Sequence, residues 1–247
     1  MADKRIALVT GGMGGIGTAI SRRLLQDGFV VVAGCSATST RKERWLEDQL
    51  KEGFEFHSVA GNVADWNDVT RCFAQVVETV GPIDVLVNNA GITADATFRK
   101  MTVEQWSSVI NTNLNSLFNT SKQVIDSMTE RGWGRIINIS SVNGQRGQFG
   151  QTNYSAAKAG IHGFTMALAR EVASKGVTVN TISPGYIRTE MTDSIRPDVL
   201  EKIVSGIPVG RLGLPDEIAS MVAWLASEDS GYATGADFSV NGGMNMV

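Results

Sequence analysis

The chain has 247 residues, with 22 Lys+Arg against 25 Asp+Glu and a formal net charge of −3. That length suits one α/β domain with a sizeable core, and the slightly acidic balance argues against nucleic acid or an anionic membrane as the main partner. Two His and two Cys are too few for a disulfide framework or a structural zinc site, whereas Gly stands out at 27 residues.

The first apolar run, Arg5–Thr10, reads as a strand and passes directly into Gly11-Gly12-Met13-Gly14-Gly15-Ile16-Gly17. A helical pattern covers Gly15–Asp27. Glycines between a first strand and a helix permit a tight turn and let backbone N–H groups approach a diphosphate at the positive helix end. No Gly-Lys-Ser/Thr follows, which disfavours a nucleoside-triphosphatase loop. The second strand, Phe29–Gly34, ends in Gly34-Cys35-Ser36 without the carboxylate that would accept from a ribose 2′-hydroxyl. Ser39, Thr40 and Arg41 follow, and their hydroxyls and guanidinium suit a 2′-phosphate. NADP(H) is therefore expected over NAD(H), the alternative being that Arg41 simply opens the solvated helix Arg41–Lys51.

Strand Glu55–Ala60, helix Asn67–Val80, strand Val85–Asn88, one long helix Val103–Arg131 and strand Arg135–Ser140 come next. The strand cores are Val/Ile-rich without polar alternation, as in parallel strands covered on both faces. Ser140-Ser141 ends that last strand, and helix Thr152–Ser174 carries Tyr154 and Lys158 on one face at i, i+4. An ammonium beside a phenol is expected to lower a Tyr pKa that starts near 10, which makes the hydroxyl a usable proton donor and acceptor. Ser141 stands where open α/β sheets bind ligands and could stabilise a developing alkoxide. Strand Val177–Ser183, helices Pro197–Ser205 and Asp216–Ala226, and strand Ala236–Val240 complete the chain. This alternation predicts one Rossmann-type α/β domain over residues 1–247, a doubly wound seven-stranded parallel sheet with helices on both faces. No apolar run approaches the roughly 18–20 residues of a membrane span, and no leader pattern precedes the first strand, so a cytoplasmic protein is expected.

Taken together, these motifs resemble the short-chain dehydrogenases/reductases over essentially the whole chain. Thr10-Gly11-x-x-x-Gly15-x-Gly17 resembles the family's cofactor turn, spanning Gly11, Gly12, Met13, Gly14, Gly15, Ile16 and Gly17. Gly61 with Asn62-Val63 is similar to its adenine-contacting segment, and Asn88-Asn89-Ala90-Gly91 to the motif at the end of the fourth strand. The resemblance implies a catalytic tetrad of Asn113, Ser141, Tyr154 and Lys158, with Tyr154 and Lys158 also touching the cofactor. It implies that Pro184, Gly185, Ile187 and Thr189 hold the nicotinamide carboxamide. Many NADP-preferring members carry a basic residue inside the glycine turn, where this chain has Met13-Gly14, so specificity would lean on Arg41.

Within the family, the strings Gly61–Trp66, Arg131–Arg135 and Asn143–Tyr154 resemble the branch that reduces acetoacetyl-CoA with NADPH to (R)-3-hydroxybutyryl-CoA, the monomer of poly(3-hydroxybutyrate). The implied substrate contacts are Asp95, Ser141, Gln148, Phe149, Gly150, Gln151, Tyr186 and Arg196, with a substrate lid at about 186–212. A 3-oxoacyl thioester of an acyl-carrier protein is the alternative substrate, and an NADP(H)-sensing regulator the non-enzymatic alternative. Family members are commonly homotetramers, which is the expected assembly. His162, one turn beyond Lys158, reads as a packed or interface side chain rather than a site residue.

Overall fold

Seven apolar runs pair in parallel in the computed structural model, which describes residues 4–193 and 196–246 apart from the side chains of Met191 and Asp193. The strands are β1 (Ile6–Val9), β2 (Val30–Cys35), β3 (His57–Ala60), β4 (Val85–Asn88), β5 (Gly134–Ile139), β6 (Val177–Pro184) and β7 (Asp237–Val240), in the order β3-β2-β1-β4-β5-β6-β7. Each lies within a residue or two of the run expected from the sequence. β1 joins β2 on one side and β4 on the other, with Val9 opposite Ala33 and Val87. The chain reverses its direction of winding there, and the crevice outside the carboxyl ends of β1 and β4 is where such sheets take ligands.

Two apolar cores sandwich the sheet because alternate residues of each strand point to opposite faces. Ile6 and Leu8 of β1 pack with α3 (Trp66–Thr79), α5 (Ser116–Arg131) and α7 (Thr152–Val172). Ala7 and Val9 pack with α1 (Gly15–Gln26) and α10 (Pro215–Ala226). Local chemistry sets the helix ends: the Asp65 carboxylate accepts from the Asp68 N–H at 2.8 Å, and Gly132 closes α5 in the left-handed region. The remaining elements include α2 (Lys42–Lys51), α9 (Pro197–Ser205) and two short helices, α6 (Val142–Arg146) and α8 (Glu190–Asp193).

One expectation needs correction. The single helix Val103–Arg131 is broken: α4 (Val103–Ile110) passes into a π-helical turn, Asn111–Asn115, before α5 begins. An i→i+5 turn interrupts the regular ladder, a device often found at functional positions, and here it carries Asn113. Residues 194 and 195 of the expected lid lie outside the described residues. Among those described, no helix is long and apolar enough to cross a membrane.

Candidate active site

The glycine turn is built by close backbone approach. A Cβ on Gly17 would stand 2.1 Å from the Gly11 carbonyl oxygen, and Gly11 has φ +62, so neither position takes a side chain without moving the turn. Gly12 and Gly14 continue it, with the Gly14 N–H on the Gly11 carbonyl at 3.1 Å, and Ile16 packs into the α1 core. Asn89 ties the turn to β4, its Nδ2 donating to the carbonyls of Thr10 and Gly11 at 3.1 Å each. The Thr10 hydroxyl accepts from the N–H groups of Asn89 and Ala90 at 3.0 and 3.1 Å. Thr10 is thus a structural member of the cofactor turn beyond the residues expected to touch the cofactor.

Beside this turn lies a cavity of about 310 Å³, lined among others by Gly11, Ser36, Gly61, Asn62, Val63, Ala90 and Gly91. The adenine segment is therefore at the cavity wall, and Cys35, Cys72 and Thr112 join it there. Asn62 is shaped for this place: its N–H donates to the Asp68 carboxylate at 2.7 Å and its side-chain oxygen accepts from the Ala64 N–H at 3.0 Å. A glycine cradle whose Cβ atoms would fill it, leading to a cavity lined by glycines, a few polar groups such as Ser36 and Asn62, and apolar side chains such as Val63 and Ile92, fits a dinucleotide with its flat apolar adenine. Opposite, a Cβ on Gly15 would meet Thr189 Cγ2 at 2.7 Å, so the segment after Pro184-Gly185 reaches over the turn. Ile187 is pinned there by a bridge to Gly213.

Arg41 sits where the sequence puts it, at the start of α2, but its Nη1 is already on the Glu190 carboxylate of α8 at 3.2 Å. Both side chains are exposed, so the pair is weak and its Arg is available to a phosphate. Glu190 carries no signal in the sequence, because only the fold brings α8 over α2.

The four expected catalytic residues converge at the carboxyl ends of β4 and β5. Asn113 is buried and clamps the chain after Gly91, accepting from the Ile92 N–H at 2.8 Å and donating to the Ile92 carbonyl at 2.9 Å. Lys158 Nζ donates to the Ile139 carbonyl at 2.7 Å and stands 5.6 Å from the centre of the Tyr154 ring. A Cβ on Gly91 would lie 3.3 Å from Asn113 Oδ1 and 3.6 Å from Lys158 Nζ, which places those groups together. Ser141 caps α6, its Oγ accepting from the Asn143 N–H at 3.1 Å, so its own O–H remains free to donate. Ser140 faces the other way, with its hydroxyl on the Lys158 carbonyl at 2.8 Å. The two adjacent serines are thereby told apart.

The electrostatics reverse one expectation. Burial pushes the Tyr154 phenol above its ordinary 10, the neighbouring Ser141 hydroxyl pulls it back, and the Asp95 carboxylate and Tyr186 phenol push it up again. Burial also drives Lys158 from 10.5 down to about 8. Enclosure penalises both charged forms, and the ammonium is turned toward Ile139 rather than lowering the phenol.

Asp95 and Tyr186 are near enough for their charges to disfavour the Tyr154 phenolate, and Gln151 is tied to Asp95: its Nε2 donates to Asp95 Oδ2 at 2.8 Å while its Oε1 accepts from Asn143 Nδ2 at 3.0 Å. Asn143 thus sets the Gln151 orientation, a role its place two residues after Ser141 did not signal. Gly150 holds the loop with φ +80 and its carbonyl on the Ala96 N–H at 2.9 Å. Gln148 is exposed, and Phe149 is 87% exposed, so these two implied substrate contacts face open space. Arg196 is not drawn into the group; it is exposed and paired with Asp198 at 3.0 Å.

Comparisons with known proteins agree with this geometry. The family model for short chain dehydrogenases matches residues 5–200. The chain is 68% identical to an acetoacetyl-CoA reductase of Cupriavidus necator and 59% identical to one of Allochromatium vinosum, in each case over 98% of this chain and 99% of the relative. It is 46% identical to a 3-oxoacyl-[acyl-carrier-protein] reductase of Vibrio harveyi, over 99% of both chains. The chain belongs to the short-chain dehydrogenase family and is an oxidoreductase that works with a nicotinamide cofactor.

Proposed function

We propose that this chain reduces acetoacetyl-CoA with NADPH to (R)-3-hydroxybutyryl-CoA, a monomer for poly(3-hydroxybutyrate). The observation that carries the chemistry is the meeting of the Ser141 hydroxyl, Tyr154 and the buried Lys158 beside the glycine cradle. The substrate follows from the relatives named for acetoacetyl-CoA, whose identity to this chain exceeds that of the carrier-protein reductase.

A nicotinamide held at the glycine cradle would supply the hydride for the carbonyl carbon. Tyr154 gives its proton to the carbonyl oxygen, and burial, which disfavours the phenolate, favours the form that carries that proton. Ser141 donates to the same oxygen, so charge developing there meets a fixed dipole. Lys158 spends one N–H on Ile139 and keeps two for the cofactor ribose. Asn113 steadies Ile92 and the turn of chain around Lys158. Gln151, oriented by Asp95 and Asn143, presents an amide to the acyl end, and Gln148, Phe149, Gly150, Tyr186 and Arg196 border the path of the CoA arm.

The NADP preference rests on the segment Ser39-Thr40-Arg41 after β2, where the Ser39 hydroxyl accepts from the Arg41 N–H at 3.4 Å and Arg41 would exchange Glu190 for the 2′-phosphate. We place the enzyme in the cytoplasm as a homotetramer, with residues 186–212 as its substrate lid. Tyr154→Phe tests the chemistry: NADPH oxidation with acetoacetyl-CoA falls by about 10²–10⁴-fold, the worth of general-acid catalysis, while the NADPH Kd stays within about 2-fold. Retained turnover in that variant removes Tyr154 from the reaction.

A further inference from the structure

His162 lies one turn beyond Lys158 on α7, half-buried, with its Nε2 amid three oxygens from three strand ends. Ser140 Oγ is 3.0 Å away, Ser183 Oγ 3.4 Å and Asp237 Oδ2 3.5 Å. Counting protons decides who donates. The Ser140 hydroxyl gives its proton to the Lys158 carbonyl at 2.8 Å, and the Ser183 hydroxyl gives its own to Asp237 Oδ1 at 2.7 Å. A hydroxyl has one proton, and a carboxylate has none. All three neighbours can therefore only accept, and Nε2 carries the proton.

The cluster also reaches α6, where Gln145 Nε2 donates to Asp237 Oδ2 and to Ser239 Oγ at 2.7 Å each. It ties α7 to β5, β6, β7 and α6 behind the reacting groups. Lys158 is consequently held at both ends, its carbonyl by Ser140 and its Nζ by the carbonyl of Ile139, the residue immediately before Ser140. The Ser140 backbone is itself fixed, its N–H on the Ile182 carbonyl at 2.7 Å. Without a donor at Nε2, the Ser140 hydroxyl is free to turn its proton away from Lys158.

We propose that His162 is a positioning residue: its Nε2–H fixes the Ser140 hydroxyl on the Lys158 carbonyl and so holds the turn bearing Tyr154 and Lys158 in register with Ser141. This rests on the roles given above to Tyr154 and Lys158, and the Tyr154→Phe assay checks those separately, since its outcome does not depend on His162.

The experiment compares the full-length enzyme with His162→Leu, His162→Gln, Ser140→Ala and the His162→Leu/Ser140→Ala double variant, reading kcat, the NADPH Kd and thermal stability. His162→Leu lowers kcat about 10-fold, the worth of one hydrogen bond expressed in the transition state, and leaves the NADPH Kd within about 2-fold. His162→Gln, which keeps an N–H donor, restores kcat to within about 3-fold of wild type. Ser140→Ala matches the His162→Leu loss, and the double variant is no worse than either single one, because both break the same link. Wild-type kcat in His162→Leu, equal kcat in the Leu and Gln variants, or additive losses in the double variant would overturn the proposal. If His162→Leu does not fold, Ser140→Ala and His162→Gln decide it: full kcat in the first, or a 10-fold loss in the second, overturns the assignment equally.

Discussion

Lys158→Met exchanges a buried ammonium for an apolar side chain of similar length, and the structure gives the size and sign of the effect. Burial takes Lys158 from 10.5 to about 8. Each unit is worth about 1.4 kcal/mol, so holding the charged form inside costs the folded state about 3 kcal/mol at pH 7. Between about pH 8 and 10.5 the unfolded chain holds a proton that the folded chain has lost, so wild-type stability rises with pH through that window. Below it both states are protonated and the penalty is constant; above it neither is, and the penalty is gone. Methionine also forfeits the bond to the Ile139 carbonyl, a loss of about 1.5–3 kcal/mol while the donor is charged and about 1 kcal/mol once it is neutral. The variant is therefore as stable as wild type or more stable by up to about 1.5 kcal/mol at pH 7, and less stable by about 1 kcal/mol above pH 10.5. Urea unfolding of both proteins at several pH values reads the difference directly, and NADPH oxidation confirms that the variant is inactive. A variant less stable at pH 7, or a difference that does not change with pH, would refute the reasoning.

Two other substitutions separate neighbouring residues. Gly17→Ala drives a Cβ onto the Gly11 carbonyl oxygen, whereas Gly15→Ala presses on the Thr189 side chain, Cγ2 at 2.7 Å and Cβ at 3.0 Å, so the segment carrying Thr189 gives way rather than the glycine turn itself; titration with NADPH is expected to lose about 100-fold in affinity for the first and less than about 10-fold for the second. Arg41→Ala lowers the preference for NADPH over NADH by about 10–100-fold, the worth of one or two charge-assisted bonds. Glu190→Gln releases Arg41 from an exposed pair and tightens NADPH by no more than about 5-fold, leaving NADH unchanged, as ratios of Kd from fluorescence titration will tell.

Much of this architecture is legible in the chain because its signals are local. Glycines that must approach backbone, Val/Ile runs covered on both faces and a Tyr–Lys pair spaced for one helix face each point to their own position. The i, i+4 spacing puts Tyr154 and Lys158 on one face, yet it does not tell which way the ammonium turns, and the Ile139 carbonyl decides that. The same enclosure raises Tyr154 where charge proximity alone would lower it. The π-turn at Asn111–Asn115 is invisible to a periodicity that continues on both sides of it. Pairings between distant segments, Arg41 with Glu190 and His162 with Asp237, exist only once the sheet has brought their elements together.

The central claim concerns the thioester as well as the carbonyl. The most direct test is the initial rate of NADPH oxidation with acetoacetyl-CoA set against acetoacetyl-acyl-carrier protein at matched concentrations. The account predicts the higher kcat/KM for the CoA thioester, with (R)-3-hydroxybutyryl-CoA as product. A kcat/KM that favours the carrier-protein thioester, or an (S) product, would contradict it.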